Sequence, residues 1–478
     1  MKKTLLSWLG FGFVILGFSI VFYFIRLVMG NFDEYDHLAA GYLMKNGQLL
    51  YKDIFTHHFP LPYYWTLLFT PLWSENPSRT VSIFRLAVLG YYLASFTLIF
   101  ATLKKISTKI LFYIWIILIS MIMVIYQGHL VLSETFAAIA LMGVFWTSIP
   151  VAMGWEKLTK FHLFAQIIFA SLALWTQPLY GILFVVPLIL GFPKNLKMVI
   201  FTSLIVNILP IFLLFLSGQF ADFYEQTIWF NSAVYSKYYG TEFIRGNHFV
   251  AIIQYFFQNE FKLLTSIQNP LQIFQFIVHL GLVGLFGYLI KTKQKLPILI
   301  LGILLLVSRM REVKIITGEP FVFGIYPLIL LALASTLILL YFIYKKSKLI
   351  TTAIVLILFS VAIIPSYPFF TQSLDPQYNY HVFWSYRQDK GDIIKKLSEP
   401  SEKILVYPHD VDLYYFADRK PIDRFLYWFP WVDDVPQYRN ERLSALNQNP
   451  PSVVYIGSLA FHEEKRFYAK FFLTIIIG

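Results

Sequence analysis

Residues 31–65 read NFDEYDHLAAGYLMKNGQLLYKDIFTHHFPLPYYW. Asp33, Glu34, Asp36 and Asp53 share this stretch with His37, His57 and His58. A carboxylate held beside a hydroxyl can take its proton as the oxygen attacks an electrophile. Elsewhere, charges stand at the ends of apolar runs: Arg85 in TVSIFRLAVLG, Glu134 in GHLVLSETF, and Arg309 and Arg311 in SRMREVK. A guanidinium grips a phosphate through paired N–H bonds and offsets negative charge on a departing group. Each residue also has a plainer reading. Asp33 and Glu34 would suit the N-terminus of a short helix ending at Gly47. Arg85 could pair with a nearby acid or reach outward along its stem. Glu134 could be the first-turn acid of its own helix, and Gln177 a turn residue. His57 and His58 are adjacent, and adjacent imidazoles need a defined third ligand to hold an ion. No metal and no cofactor is therefore expected.

The elements that must position these groups are mostly apolar helices. The chain has 478 residues, 57% of them hydrophobic and 14% charged. Its mean hydropathy is +0.62. Soluble proteins are about 25% charged, so this composition points to an integral membrane protein. Cysteine is absent, which excludes disulfides and thiolate metal sites. Apolar runs at 5–28, 80–103, 109–126, 130–150, 161–176, 178–192, 198–217, 271–290, 296–308, 323–344 and 349–370 predict about eleven transmembrane helices. The first run lacks a small-residue cleavage site and reads as a retained anchor.

The net charge of +12 does not call for nucleic acid, because its location matters more than its sum. LKKISTK, GWEKLTK, PKNLK, KTKQK and YKKSK are short, basic, alternate loops, with Glu156 their one acid. The opposite loops carry Asp33, Glu34, Asp36, Asp53, Glu75, Asp222, Glu225, Glu242, Glu260, Glu312 and Glu319. Positive loops stay inside. The reading is thus a multi-pass plasma-membrane protein with a cytoplasmic N-terminus. Residues 1–370 form the transmembrane domain, with outer loops at 29–79 and 218–270. Residues 371–478 form an extracytoplasmic α/β domain. There, DKGDIIKKLSE reads as a helix, and KILVYP and PSVVYIG as buried strands. The tail ends at FFLTIIIG soon after a strand, so the domain could be incomplete.

On this topology the acids and arginines gather at one membrane face. Charges at such depth face a bundle interior or a wet cavity. Sugar transfer from a polyprenyl phosphate fits that setting, since its leaving group is a stable anion and one base plus cations suffices. A secondary transporter would instead show inverted repeats and broken helices at mid-membrane. A non-catalytic scaffold for envelope glycan assembly would not need the acidic pair.

FDEYDHLAAGYLMKNGQLLYKDIFTHHFPLPYYW followed by RTVSIFRLAVLG resembles the GT-C glycosyltransferases, in particular protein O-mannosyltransferases and lipid A aminoarabinose transferases. The shared pattern is an acidic pair after the first span, a G-x-x-L-Y-x-D stretch, a basic residue before a proline-aromatic run, and an early arginine in the second span. YPLILLALA and DVDLYYFADRKPIDRFLYWFP are similar to later parts of those proteins. The resemblance implies a GT-C helical bundle with Asp33 or Glu34 as the base of an inverting transfer. Glu134 would orient the acceptor. Arg85, Arg309 and Arg311 would lie near the donor phosphate, with His57 and His58 in the basic position. Asp36, Tyr51 and Asp53 would line the substrate cavity. The partners implied are a polyprenyl-phosphate-linked sugar and an acceptor protein, lipid or glycan. The aminoarabinose enzymes carry lysine where His57 and His58 stand, and neutral imidazole is a weaker phosphate ligand.

Overall fold

The computed structural model describes residues 2–238, 269–309, 323–375, 384–427 and 430–457. Arg311, Glu242, Glu260, Glu312, Glu319 and the terminal FFLTIIIG lie outside the described residues.

The chain is a multi-pass helical membrane protein. Seven described helices are long and apolar enough to cross a bilayer. They are α1 (Lys2–Ile25), α4 (Pro77–Thr102), α6 (Ser133–Ala152), α9 (Leu196–Leu216), α11 (Pro270–Lys291), α13 (Tyr326–Tyr344) and α14 (Lys348–Ser373). Shorter apolar segments lie between them: α5 (Ile106–Ile122), α7 (Lys160–Leu174), a 3-10 turn (Pro178–Phe184) running into α8 (Val185–Gly191), and α12 (Lys295–Ser308). Each predicted apolar run coincides with one of these segments. α6 and α13 are buried almost throughout and form the centre of the bundle, whereas α9 and α14 are largely exposed, as suits helices facing lipid.

Two sets of loops gather at two ends. At one, Glu156 accepts from the backbone N–H of Lys104 and Lys105 and from the Thr108 hydroxyl, at 2.9–3.0 Å. That lone acid ties two of the basic loops together at the start of α5. At the other end, Asn31 donates to Gln127 at 2.8 Å and the His129 ring meets the Val28 carbonyl at 2.8 Å. The loop after α1 and the loop after α5 therefore share the opposite face.

That second face carries α2 (Phe32–Lys45), α3 (Leu61–Leu67), α10 (Phe220–Tyr224) and the C-terminal α/β region. Asn31 caps α2 by accepting from Asp33 N–H at 2.9 Å. The helix is buried from Glu34 to Met44, so Glu34 and Asp36 are not the solvated caps of a surface helix. Gly41 lets it close on the bundle, because a β-carbon there would stand 3.1 Å from the Trp73 ring. Tyr42 holds its far side by donating to Asp418 at 2.7 Å.

The C-terminal α/β region contains α15 (Tyr386–Leu397), β1 (Lys403–Tyr407), α16 (Leu413–Ala417), β2 (Lys420–Pro421), α17 (Pro436–Gln448) and β3 (Val453–Ile456). The strands are parallel in the order β2-β1-β3. β1 is central and buried as expected. Among the described residues β3 is an edge, alternating half-buried and exposed positions, which corrects the reading of PSVVYIG as a buried strand. Phe55 N–H donates to the Arg424 carbonyl at 2.7 Å, and the Phe55 ring packs among Phe230, Phe425 and Tyr438. This aromatic knot joins the loop after α1, the segment after α9 and the C-terminal α/β region.

Candidate active site

A polar pocket opens where these three parts meet. It is lined by Phe32, Asp33, Asp36, His57, His58, Tyr235, His409, Val411, Tyr427 and Trp431. Asp33 and Asp36 are three apart on α2, so one helix face presents both carboxylates to it.

Glu34 points the other way. Arg85 Nε donates to one Glu34 oxygen at 2.8 Å and Nη2 to the other at 2.5 Å, with both side chains fully buried. The remaining Arg85 N–H groups go to the carbonyls of Arg26, Val28 and Met29, at 2.7–3.0 Å. A guanidinium has five N–H groups, and here all five are used. Val131 N–H adds a bond to Glu34 at 3.2 Å. The pair fastens α2 and the loop before it to α4. Arg85 thus sits beside the acidic pair but offers no donor to an incoming phosphate, unlike the placement implied by the resemblance.

Asp36 is buried. One oxygen accepts from the Tyr63 hydroxyl, and the other has no hydrogen-bond partner among the described residues. Burial pushes its carboxyl up to about 7, the Tyr63 bond working against that and Asp33 adding to it. Tyr63 also pairs with the Thr56 hydroxyl at 2.7 Å and stacks on His37. His37 meets the Asp33 carbonyl at 2.6 Å and is pushed down to about 4 by burial.

His57 Nδ1 lies 2.9 Å from the Tyr427 hydroxyl, and the rings of His57 and His58 stand 4.2 Å apart. The loop bearing them is pinned by Gln226, which accepts from Thr56 N–H at 3.0 Å and donates to the Tyr51 carbonyl at 2.6 Å.

The other expected residues fall elsewhere. Tyr51 is buried beneath the loop and donates to the His58 carbonyl at 3.0 Å. Asp53 is exposed and accepts from Leu49 N–H at 2.8 Å, closing its own turn. Neither lines the pocket among the described residues, since the turn at 49–53 directs both away. Glu134 is buried in the first turn of α6, and Arg309 is buried at the end of α12. Neither lines the polar pocket, and no Lys or Arg does so among the described residues.

His409, Tyr427, Gln226 and Tyr63 were not singled out from the sequence. His409 left one signal: it follows the predicted strand KILVYP, and sites collect at the carboxyl ends of parallel strands. Gln226 and Tyr63 left none, because their partners are brought to them by the fold.

A second, apolar groove of about 530 Å³ runs beside the first pocket. Leu61, Tyr64, Trp175, Pro210, Leu213 and Gln219 are among its walls. One short loop borders both cavities: His57 and His58 face the polar pocket, and Pro60 and Leu61 face the groove.

This architecture has known counterparts. ArnT from Cupriavidus metallidurans in the apo state aligns with a TM-score of 0.53 and 14% identity, over 95% of this chain and 90% of that one. The ArnT structure with undecaprenyl phosphate bound gives 0.54 and 14%, over 94% and 90%. The apo oligosaccharyltransferase from Archaeoglobus fulgidus gives 0.50 and 14%, over 91% of this chain and 68% of that one. The chain therefore has the fold of the GT-C glycosyltransferases. No family model and no curated protein matches the sequence.

Proposed function

We propose that this protein is a glycosyltransferase that moves a sugar from a polyprenyl phosphate to an acceptor hydroxyl at the outer face of the membrane. Asp33 is the base. It takes the proton of the acceptor hydroxyl, whose oxygen bonds to the anomeric carbon from the face opposite the phosphate. The bond between that carbon and the phosphate oxygen breaks, and its electron pair leaves with the polyprenyl phosphate. The sugar inverts its configuration. Glu34 and Arg85 hold the helix that aims Asp33.

The observation that carries this reading is the pairing of a polar, carboxylate-lined pocket with an apolar groove across one short loop. A donor with a hydrocarbon tail and a sugar head needs both. The GT-C fold supports the reading, and one such neighbour was solved with undecaprenyl phosphate bound. The polar pocket and the outer domain face the extracytoplasmic side, and Glu156 with its basic loops faces the cytoplasm. The outer domain begins near residue 371, although α14 itself continues to Ser373.

Profiling of lipid-linked sugars tests the function in cells. Loss of the chain is expected to let a polyprenyl-phosphate sugar accumulate, wild type to clear it, and Asp33→Asn to fail to clear it while still reaching the membrane. An unchanged pool in cells lacking the chain would count against the reading.

A further inference from the structure

One wall of the polar pocket comes from the outer domain, through His409, Val411, Tyr427 and Trp431. His409 stands two residues past the end of β1, and its ring centroid is 6.3 Å from that of Phe32 on α2. The next residue, Asp410, pairs with Arg387 of α15 at 2.6 Å and accepts from the Tyr455 hydroxyl at 2.9 Å. Arg387 also reaches the fully buried Asp412 at 3.3 Å. The same guanidinium lies 4.5 Å from the centroid of the Tyr35 ring. Tyr35 sits on α2 between Glu34 and Asp36. One cation thus touches both the segment that carries His409 and the helix that carries the two pocket carboxylates.

We propose that His409 is a substrate-contacting residue supplied by the outer domain. Arg387 is the positioning residue that seats it, clamping Asp410 and Asp412 against the Tyr35 face of α2. The contact rests on the glycosyl-transfer reading; the clamp does not. Arginine suits the task because it forms directed ion pairs at its edge while its face stacks on an aromatic ring. Burial keeps His409 neutral, pushing it down to about 4 against the raising effect of Asp410. A neutral imidazole offers one donor and one acceptor, the pair that a sugar hydroxyl complements. The arrangement makes the outer domain part of the active site: lifting it off α2 would remove a wall of the pocket.

The contact is tested by release of undecaprenyl phosphate from its mannosyl, glucosyl and aminoarabinosyl derivatives. The assay uses proteoliposomes of the full chain with an envelope extract as acceptor. His409→Ala and Arg387→Gln are each expected to raise KM about 3- to 10-fold, the loss expected for one neutral hydrogen bond, with little change in kcat. His409→Gln, which keeps a donor and an acceptor, is expected to recover most of the loss. The double variant is expected to be no worse than the worse single one, because Arg387 acts through His409. An unchanged KM for His409→Ala, or effects that multiply in the double variant, would overturn the proposal. Hydrogen exchange tests the clamp without any substrate. Arg387→Gln is expected to speed exchange in residues 32–45 and 408–416 while β1 stays protected. Unaltered exchange in both segments would overturn the clamp. Inactivity of wild type with all three donors would overturn the transfer reading and the His409 contact together, and exchange would still decide the clamp.

Discussion

Asp33 and Asp36 stand one helical turn apart and line the same pocket, while Glu34 between them turns back into the bundle to meet Arg85. Three neighbouring acids are thereby given different environments. Asp33 is partly exposed, Glu34 is fully paired, and Asp36 is buried with its carboxyl pushed up to about 7.

The Asp36 environment predicts a pH effect on stability. Below about 4 the carboxyl is protonated in both the folded and unfolded chain and contributes nothing. As pH rises from there toward about 7, the unfolded chain gives up this proton while the folded chain keeps it. The folded state binds more protons, so this group lowers stability as pH rises through that window. His37 and His409, both pushed down to about 4, act the opposite way between about 4 and their ordinary value. Asp36→Asn is therefore expected to gain stability over wild type as pH goes from 4 to 7. Melting curves in detergent across that range measure it, and parallel curves would contradict it.

The Glu34–Arg85 pair predicts a different outcome. Removing one partner leaves a buried charge alone, which costs about 3–5 kcal/mol. Glu34→Ala and Arg85→Met are each expected to lower the melting temperature sharply. Arg85→Lys is expected to rescue little, since an ammonium has three donors for five acceptor positions. A lysine variant that melts like wild type would show that charge alone, and not the fork, holds the loop.

The apolar groove predicts a dependence on tail length. Leu213→Trp fills the groove without adding charge. It is expected to raise KM for an undecaprenyl-linked donor about tenfold, a cost of roughly 1.4 kcal/mol. A donor with a two-isoprene tail is expected to be unaffected. Equal losses with both tails would place the lipid elsewhere.

The bundle was legible because a span announces itself over some twenty residues. The short helix with Asp33 and Glu34 in its first turn and strand β1 were legible because their signals are local, although the cap proved to be Asn31. The site was readable only in part. DEYD marked a wall of the polar pocket, but the assignment of Arg85 to a phosphate failed to foresee that three loop carbonyls and Glu34 would claim every N–H. Such saturation depends on how the loop after α1 folds back, which no spacing encodes. His409 reaches the pocket from nearly four hundred positions beyond Asp33, and Gln226 finds Thr56 across 170 positions. The glutamine and histidine become informative once the C-terminal α/β region is seen packed on α2.

The most direct measurement is sugar transfer by purified wild type and Asp33→Asn in proteoliposomes supplied with a polyprenyl-phosphate donor that the wild type uses. Loss of a positioned base costs about 10²- to 10⁴-fold in rate. The account predicts a loss of that size in kcat for Asp33→Asn, with KM and melting temperature close to wild type. Transfer by Asp33→Asn at the wild-type rate would contradict it.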